Sequence, residues 1–326
     1  MNQRFEAFLA VAELHSMQKA ADRQCVSYQC ISGHIRSLEE EYHTRLFERK
    51  PAFALTQSGR ILLESLQRIR AIEQSMAAAL DDSGGKVVGS LKLGVPMSRY
   101  TEIVPPILAR FKETYPNVDL MITDDYSNVL EQQVARGILD MAIVVQQATD
   151  HDDDLERITL LQEQYLFLVS TPLLRATLGD DTAAFLQRTK RRGITLREIS
   201  QFPIVTYPNG SRLRSILDEY AKKHSFEYDV VFSSNRTETF DSIARTDIAG
   251  CIISQQLYGI TERKNRHLRG ENRLQVLRVN WGNHPVNSDM ALIYNREHIF
   301  ASYKRFMVQV IEEQFASYAS KGIQAK

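Results

Sequence analysis

Apolar positions at the start of the chain recur three and four residues apart. Phe5, Phe8, Leu9, Val11 and Ala12 make one stripe over 5–14, which predicts a helix. A second, shorter helix fits 17–23, entered from Ser16, a residue type that caps helix N-termini. After the turn Gln24–Cys25–Val26, Ser27 caps a third helix through about Tyr42, with Ile31, Ile35 and Leu38 inward. Tyr28, Gln29, Ser32, Gly33 and Arg36 are left facing outward. Leu46–Phe47 and Ala54–Leu55 flank the turn-like Lys50–Pro51 and predict a two-stranded wing. From Arg60 to Leu80 the chain has no Gly or Pro, and Leu62, Leu66, Ile69, Met76 and Leu80 make a near-heptad stripe suited to pairing two helices. Packing on the chain's own domain is the competing explanation of that stripe. Asp81–Asp82–Ser83–Gly84–Gly85 reads as a hinge.

Beyond Val87 strand and helix patterns alternate. Leu91, Leu93 and Val95 fit a strand, and Ile103, Ile107, Leu108 and Phe111 a helix with Pro105–Pro106 near its first turn. Val118, Leu120 and Ile122 make a strand, Val129 to Val134 a helix ending at Gly137, and 141–145 an apolar run typical of a buried strand. A similar unit follows. Its strands fall at 165–169, 203–206, 230–232, 249–253, 276–279 and 290–294, with helices at 211–224 and 237–245. A last helix is striped by Ile299, Tyr303, Phe306, Val310 and Phe315. The βαβαβ order implies parallel sheets covered by helices on both faces. The predicted fold class is α/β: an N-terminal all-α winged helix-turn-helix, then a two-lobed α/β clamshell of periplasmic-binding-protein type. The boundaries are 1–59, a linker helix and hinge over 60–85, and 86–326. The polar stretch Leu178 to Arg192 reads as a solvated excursion on the second lobe.

A helix with a polar outer face, preceded by a short helix and a tight turn, fits the major groove of DNA, where short polar side chains reach base edges. Any small three-helix domain would share the pattern. Charge does not decide, because the first sixty residues hold eight Lys or Arg against seven Asp or Glu, and the 326-residue chain is neutral. The spaced residues Phe8, Ser16, Ala20–Ala21, Val26–Ser27, Ser32, Ile35, Leu38–Glu39, Leu46–Phe47, Arg49, Leu55–Thr56 and Gly59 carry more weight. Over residues 8–59 they resemble the DNA-binding domain of LysR-type transcriptional regulators. Tyr28–Gln29–Cys30, Gln24, His43 and a short, less basic wing at 50–54 depart from the family pattern. Further along, Gly94, Pro105, Phe111, Tyr115–Pro116, Val118, Gly137, Asp140, Gly210–Ser211 and Gly250 resemble the family's effector domain.

The resemblance implies a homodimer or homotetramer joined through the linker helix, on double-stranded DNA with an interrupted palindrome. It also implies a small-molecule effector and RNA polymerase as partners, no cofactor, and no enzymatic role. Ser27, Tyr28, Gln29, Ser32, Gly33 and Arg36 are the candidates for base, sugar or phosphate contact, and Gln18, Lys19, Arg49 and Lys50 for the phosphate backbone. Ligands of open α/β sheets sit beyond the carboxyl ends of strands. That places Ser98, Arg99, Val145, Gln146, Thr206, Tyr207, Ser211 and Asn235 at an effector cleft. Helix N-termini near Ser98 and Ser211, with Arg99 and Arg212, suit an organic anion. Arginines exposed at loop tips are the plainer reading.

A solute-binding transport protein or an enzyme using the cleft are the rival functions. The first needs an export signal, and residues 1–16 mix acids into their apolar stretch. The second needs a nucleophilic or acid–base set, and no such motif stands out. No run of about 18 apolar residues occurs to span a membrane. Cys25, Cys30 and Cys251 show no metal or disulfide spacing, as expected of a cytoplasmic protein, and Cys25 and Cys30 are expected as small buried residues. Asp152–Asp153–Asp154 reads as a solvated loop.

Overall fold

A computed structural model describes residues 1–48, 53–83, 87–146, 155–268, 270–281, 284–285, 287–296 and 301–320. The N-terminal module comprises α1 (Gln3–Leu14), α2 (Met17–Gln24), α3 (Tyr28–Glu41) and a hairpin of β1 (Phe47–Glu48) and β2 (Ala54–Leu55). Ser16 and Ser27 cap α2 and α3 by accepting the Lys19 and Cys30 N–H groups at 3.3 and 3.1 Å. Three turns here use left-handed backbone at residues other than glycine: His15 after α1, Cys25 after α2 and His43 after α3, with φ of 50°, 55° and 50°. Phe8, Ile31, Ile35 and Leu38 fill the core, and Phe47 packs on Phe8 with ring centroids 5.4 Å apart. The Glu39 carboxylate accepts the Leu46 and Phe47 N–H groups at 2.8 and 3.4 Å, fixing the wing to α3. Gln24 Nε2 donates to the Glu6 carbonyl at 3.0 Å.

The linker helix α4 (Gln57–Ser83) begins earlier and ends later than its periodicity predicts. Thr56 Oγ1 accepts the Gly59 N–H at 2.9 Å, so the cap lies at Thr56 and Gly59 is inside the helix. Asp81 to Ser83 are helical rather than hinge, and Gly84–Gly85 lie outside the described residues. The predicted stripe splits between two faces. Leu66 is 1% exposed and joins the N-terminal core with Leu62, whereas Ile69, Met76 and Leu80 are exposed and align with Ile61 and Ile72. A near-heptad spacing does not say which of two adjacent faces a leucine joins.

Lobe I contains β3 (Gly89–Pro96), α5 (Tyr100–Thr114), β4 (Val118–Asp125), α6 (Ser127–Ala135) and β5 (Met141–Gln146). The long β6 (Leu155–Val169) then crosses between lobes. Lobe II holds α7 (Thr171–Leu178), α8 (Thr182–Arg192), β7 (Ile194–Thr195), α9 (Leu196–Ile199), β8 (Pro203–Thr206), α10 (Arg212–Lys223) and β9 (Asp229–Ser233). It continues through α11 (Phe240–Ala244), β10 (Gly250–Ser254), α12 (Tyr258–His267) and β11 (Gln275–Trp281). The chain returns by β12 (His284–Pro285) and β13 (Asn287–Asn295), and α13 (Ser302–Ser320) packs on lobe I. The main sheet runs β4-β3-β5-β13-β6-β10-β8-β9, with β11 also on β6. Strands β3, β4 and β5 are mutually parallel, as are β8, β9 and β10. The crossing strands β6 and β13 are antiparallel to their neighbours, so the sheet is mixed rather than purely parallel.

The buried run of β5 explains lobe I. Met141, Ile143 and Val145 face a core shared with α5 and α13, while Ala142 and Val144 face a second core under α6. A strand alternates its side chains, so a strand covered on both faces must be apolar throughout. Gly94 lets α6 approach β3, since a Cβ there would lie 2.7 Å from Leu139 and 2.8 Å from Leu130. The prolines of α5 sit inside the helix rather than in its first turn, because a 3-10 turn at Met97–Arg99 precedes it. Pro106 has no N–H to give the Glu102 carbonyl, and Tyr318 Oη supplies that hydrogen bond at 2.8 Å.

The stretch 178–192 is folded rather than a solvated excursion. Phe185 and Thr189 of α8 are buried, and Phe185 meets Phe202 edge-on at 6.1 Å, leaving Lys190, Arg191 and Arg192 on the surface. Two cysteines, Cys25 and Cys30, differ from expectation as well. Cys25 is exposed, because the left-handed turn carries it out, and Cys30 is half-buried beside His34 at 3.4 Å. Cys251 is buried, and loss of water pushes its thiol up to about 12. Asp152–Asp154 lie outside the described residues.

Candidate functional site

Two surfaces concentrate polar groups that the cores do not need. The first is the outer face of α3. Its cap leaves Ser27, Tyr28 and Gln29 exposed at the helix N-terminus, with Gly33 one turn on and exposed. A Cβ at Gly33 would meet nothing within 4 Å, so a partner can approach the backbone there. Ser32 is half-buried. Arg36 is exposed and its Nε donates to Glu40 Oε1 at 2.8 Å, a pairing that water and salt weaken. Lys19 and Gln18 project from α2 beside this face, with Gln18 Nε2 donating to Asp22 at 2.9 Å. Arg49 and Lys50 fall outside the described residues.

The second surface is a small cavity, of about 40 Å³, between the lobes. Strand direction explains its place. The carboxyl ends of β3, β4 and β5 reach it from lobe I, and those of β8 and β9 approach from lobe II. Ser98, Arg99, Val145, Tyr207, Ser211 and Asn235 line it, as does Arg212. Gln146 and Thr206 are not among the lining residues. Gln146 follows Val145 on an alternating strand and turns to the other side. Thr206 is completely buried, and its carbonyl accepts the Ser234 N–H at 3.0 Å. Arg99 is 2% exposed, not a loop-tip residue, and Arg212 is largely covered as well.

Asp125, Tyr126, Ser127 and Tyr165 line the cavity without having been anticipated. The signal was available for three of them, since β4 is also a parallel strand and its carboxyl end is Asp125. Ser127 Oγ accepts the Val145 N–H at 2.9 Å and so ties the start of α6 to the end of β5. Contacts across the cleft join the lobes: Asn235 Nδ2 to Met97 Sδ at 2.7 Å, Thr237 Oγ1 to the Ser98 carbonyl at 3.2 Å, and Arg212 to Glu131 at 3.2 Å. Ser211 caps α10 by accepting the Arg214 N–H, which leaves backbone N–H groups of the first turn directed at the cleft.

Lobe I also grips α4. Lys304 Nζ donates to Asp140 Oδ1 at 2.7 Å and to Ser75 Oγ on α4 at 3.3 Å, while Asp140 Oδ2 accepts the Lys92 N–H at 2.7 Å. On the surface Arg136, just after α6, pairs with Glu64 of α4 at 2.9 Å. Among the described residues no His, Cys, Asp or Glu cluster is arranged for a metal ion, and no helix is long and apolar enough to cross a membrane.

Comparison with known proteins identifies both domains. Residues 3–60 match the family model for the bacterial regulatory helix-turn-helix protein, lysR family, and residues 84–314 match the LysR substrate binding domain. A probable RuBisCO transcriptional regulator of Porphyra purpurea is 25% identical over 252 residues, covering 75% of each chain. Full-length LysG from Corynebacterium glutamicum, solved with bound effector Arg, superposes with a TM-score of 0.66 at 13% identity, covering 97% of this chain and 99% of that one. Full-length CbnR in complex with its target DNA gives 0.59 at 17% identity, covering 96% and 100%. At such identities the two structures speak for the fold alone. The chain belongs to the LysR family. It is a transcriptional regulator with a DNA-binding helix-turn-helix and an effector-binding domain, not an enzyme.

Proposed function

We propose that α3 enters the major groove and reads base edges with Tyr28, Gln29 and Gly33. Ser27, Ser32 and Arg36 then contact base, sugar or phosphate, and Gln18, Lys19, Arg49 and Lys50 hold the phosphate backbone. The observation that carries this reading is the capped, exposed N-terminal turn of α3, with Gly33 open to close approach. The exposed apolar side chains Ile61, Ile69, Ile72, Met76 and Leu80 support pairing of α4 with a second copy. A homodimer, or a tetramer made of two, then places two α3 helices on an interrupted palindrome in cytoplasmic DNA, within reach of RNA polymerase. In the cleft, Ser98, Arg99, Val145, Tyr207, Ser211, Arg212 and Asn235 bind an organic anion. Buried Arg99 and the amides at the start of α10 support that chemistry.

Fluorescence anisotropy tests the DNA reading, with DNA from upstream of the gene and a scrambled duplex at two salt concentrations. Arg36→Ala should abolish tight binding. Gln29→Ala should change sequence preference by about 1–3 kcal/mol at one base pair rather than weaken all sequences alike. Weak binding of equal strength to both duplexes, with and without candidate anions, would refute it.

A further inference from the structure

Three charged side chains from three elements meet at one edge of the cleft. Glu131 sits one turn into α6, in lobe I, and both of its oxygens accept from Arg212 Nη2 at 3.2 Å. Arg212 begins α10 in lobe II and forms part of the cavity wall. Arg157, on the lobe I portion of β6, places Nη1 3.9 Å from Glu131 Oε1, within ion-pair range but beyond a hydrogen bond. The Nε and Nη1 atoms of Arg157 are buried and have no hydrogen-bond partner among the described residues. All three side chains are largely covered, so their charges act in a poorly screened place.

We infer that Glu131 occupies the place of the effector's anionic group on Arg212, and that an entering carboxylate displaces Glu131 onto Arg157. This rests on the reading of the cleft as an anion site. The exchange is chemically even. Glu131 takes both hydrogen bonds from Arg212 Nη2, and either two-nitrogen fork of this guanidinium includes Nη2, so a ligand carboxylate held in a two-pronged pair needs the nitrogen that Glu131 occupies. Glu131 needs only a short swing to reach donors that are buried without acceptors, a situation costly enough to favour the move. The arrangement selects a monocarboxylate, because one carboxylate leaves Arg212 and one takes its place. Its body would rest against Tyr126, Val145, Tyr207 and Leu213, which line the same cavity. Glu131 thereby sets specificity. A ligand without a carboxylate cannot compete for Arg212, and a weak acid competes only in its ionised form. The exchange also cuts a direct ion pair between lobes, so the ligand itself becomes the link.

Calorimetric titration of the full chain at fixed ionic strength tests the exchange. The probes are butyrate and benzoate, with butyramide and benzamide as neutral controls. Wild type should bind the acids and not the amides, and Arg212→Gln should remove that binding. Glu131→Gln, which keeps the shape and removes the competing charge, should tighten it about tenfold, and Glu131→Ala should tighten it as well. Arg157→Gln should weaken binding several-fold in the wild-type background and change it by less than about twofold in the Glu131→Gln background. Circular dichroism and melting of each variant establish that it is folded. If the acids bind through Arg212 but Glu131→Gln leaves their affinity within about twofold, the exchange is overturned and the anion site stands. If neither wild type nor the Glu131 variants bind the acids, or if Arg212→Gln leaves binding intact, the anion site at Arg212 and the exchange fail together.

Discussion

Lys304→Met removes an ammonium group whose side chain is 4% exposed and leaves Asp140, 19% exposed, without its cation. Methionine keeps most of the apolar stem, so the change isolates the charge. Removing one partner of a buried ion pair costs about 3–5 kcal/mol when the remaining charge has nowhere to turn. Asp140 retains the Lys92 N–H at 2.7 Å and some access to water, which lowers the expected loss to about 2–3 kcal/mol. Ser75 loses a donor at 3.3 Å in the same step, so the docking of α4 on lobe I should loosen as well. Urea unfolding followed by far-ultraviolet circular dichroism measures the loss. Adding Asp140→Asn should restore part of it, since the stranded charge is then gone, giving a coupling of about 2 kcal/mol between the two positions. A loss under about 1 kcal/mol for Lys304→Met, or strict additivity with Asp140→Asn, would mean that water screens this pair like a surface one and that the reasoning from burial is mistaken.

Two further outcomes follow from local geometry. At Gly59 a Cβ would lie 2.1 Å from the Leu46 carbonyl oxygen and 2.9 Å from Leu55, so Gly59→Ala should destabilise the N-terminal module by about 1–3 kcal/mol; an unchanged melting temperature would show that the backbone gives way freely. Burial alone would raise the Asp241 carboxyl, but hydrogen bonds from Arg245 and Lys264 outweigh it and hold the pKa below its ordinary value. A carboxyl lowered on folding stabilises above its unfolded pKa and loses that contribution as pH falls through the folded one. Asp241→Asn should therefore flatten the acid limb of the melting curve below about pH 4, and a parallel limb would dismiss the pair as a source of acid lability.

How far the sequence carries can be judged element by element. The helices α1 to α3 and the strand β5 announce themselves because one face, or both, must be apolar. The caps Ser16 and Ser27 fix the ends of two helices for a local reason. The sequence pattern marks the long β6 only at its end, since its first ten residues carry Glu156, Arg157, Gln162 and Gln164, which suit a partly covered crossing strand but hide its period. The start of α4 was misplaced because Gly59 suggested a boundary where Thr56 was the cap. In the cleft, the rule of strand ends found Ser98, Val145, Tyr207 and Asn235, but it locates a position along a strand and not the side to which a residue turns. Gln146 and Thr206 therefore satisfy the rule without lining the cavity. The pair of Arg212 and Glu131 joins residues 81 apart in the chain, and only the folded crossing of the lobes brings them together.

The clamp of Lys304 on Ser75 makes α4 a lever with a fulcrum on lobe I. From Ser75 back to Gln57 the helix is about 27 Å long at about 1.5 Å per residue. A tilt of about 7° at the clamp would carry the far end about 3.3 Å, close to the rise of one base pair. On the proposed reading of α3, the stiffness of an uninterrupted helix would enlarge a movement too small to disturb the packing of lobe I into one that changes which bases α3 could reach.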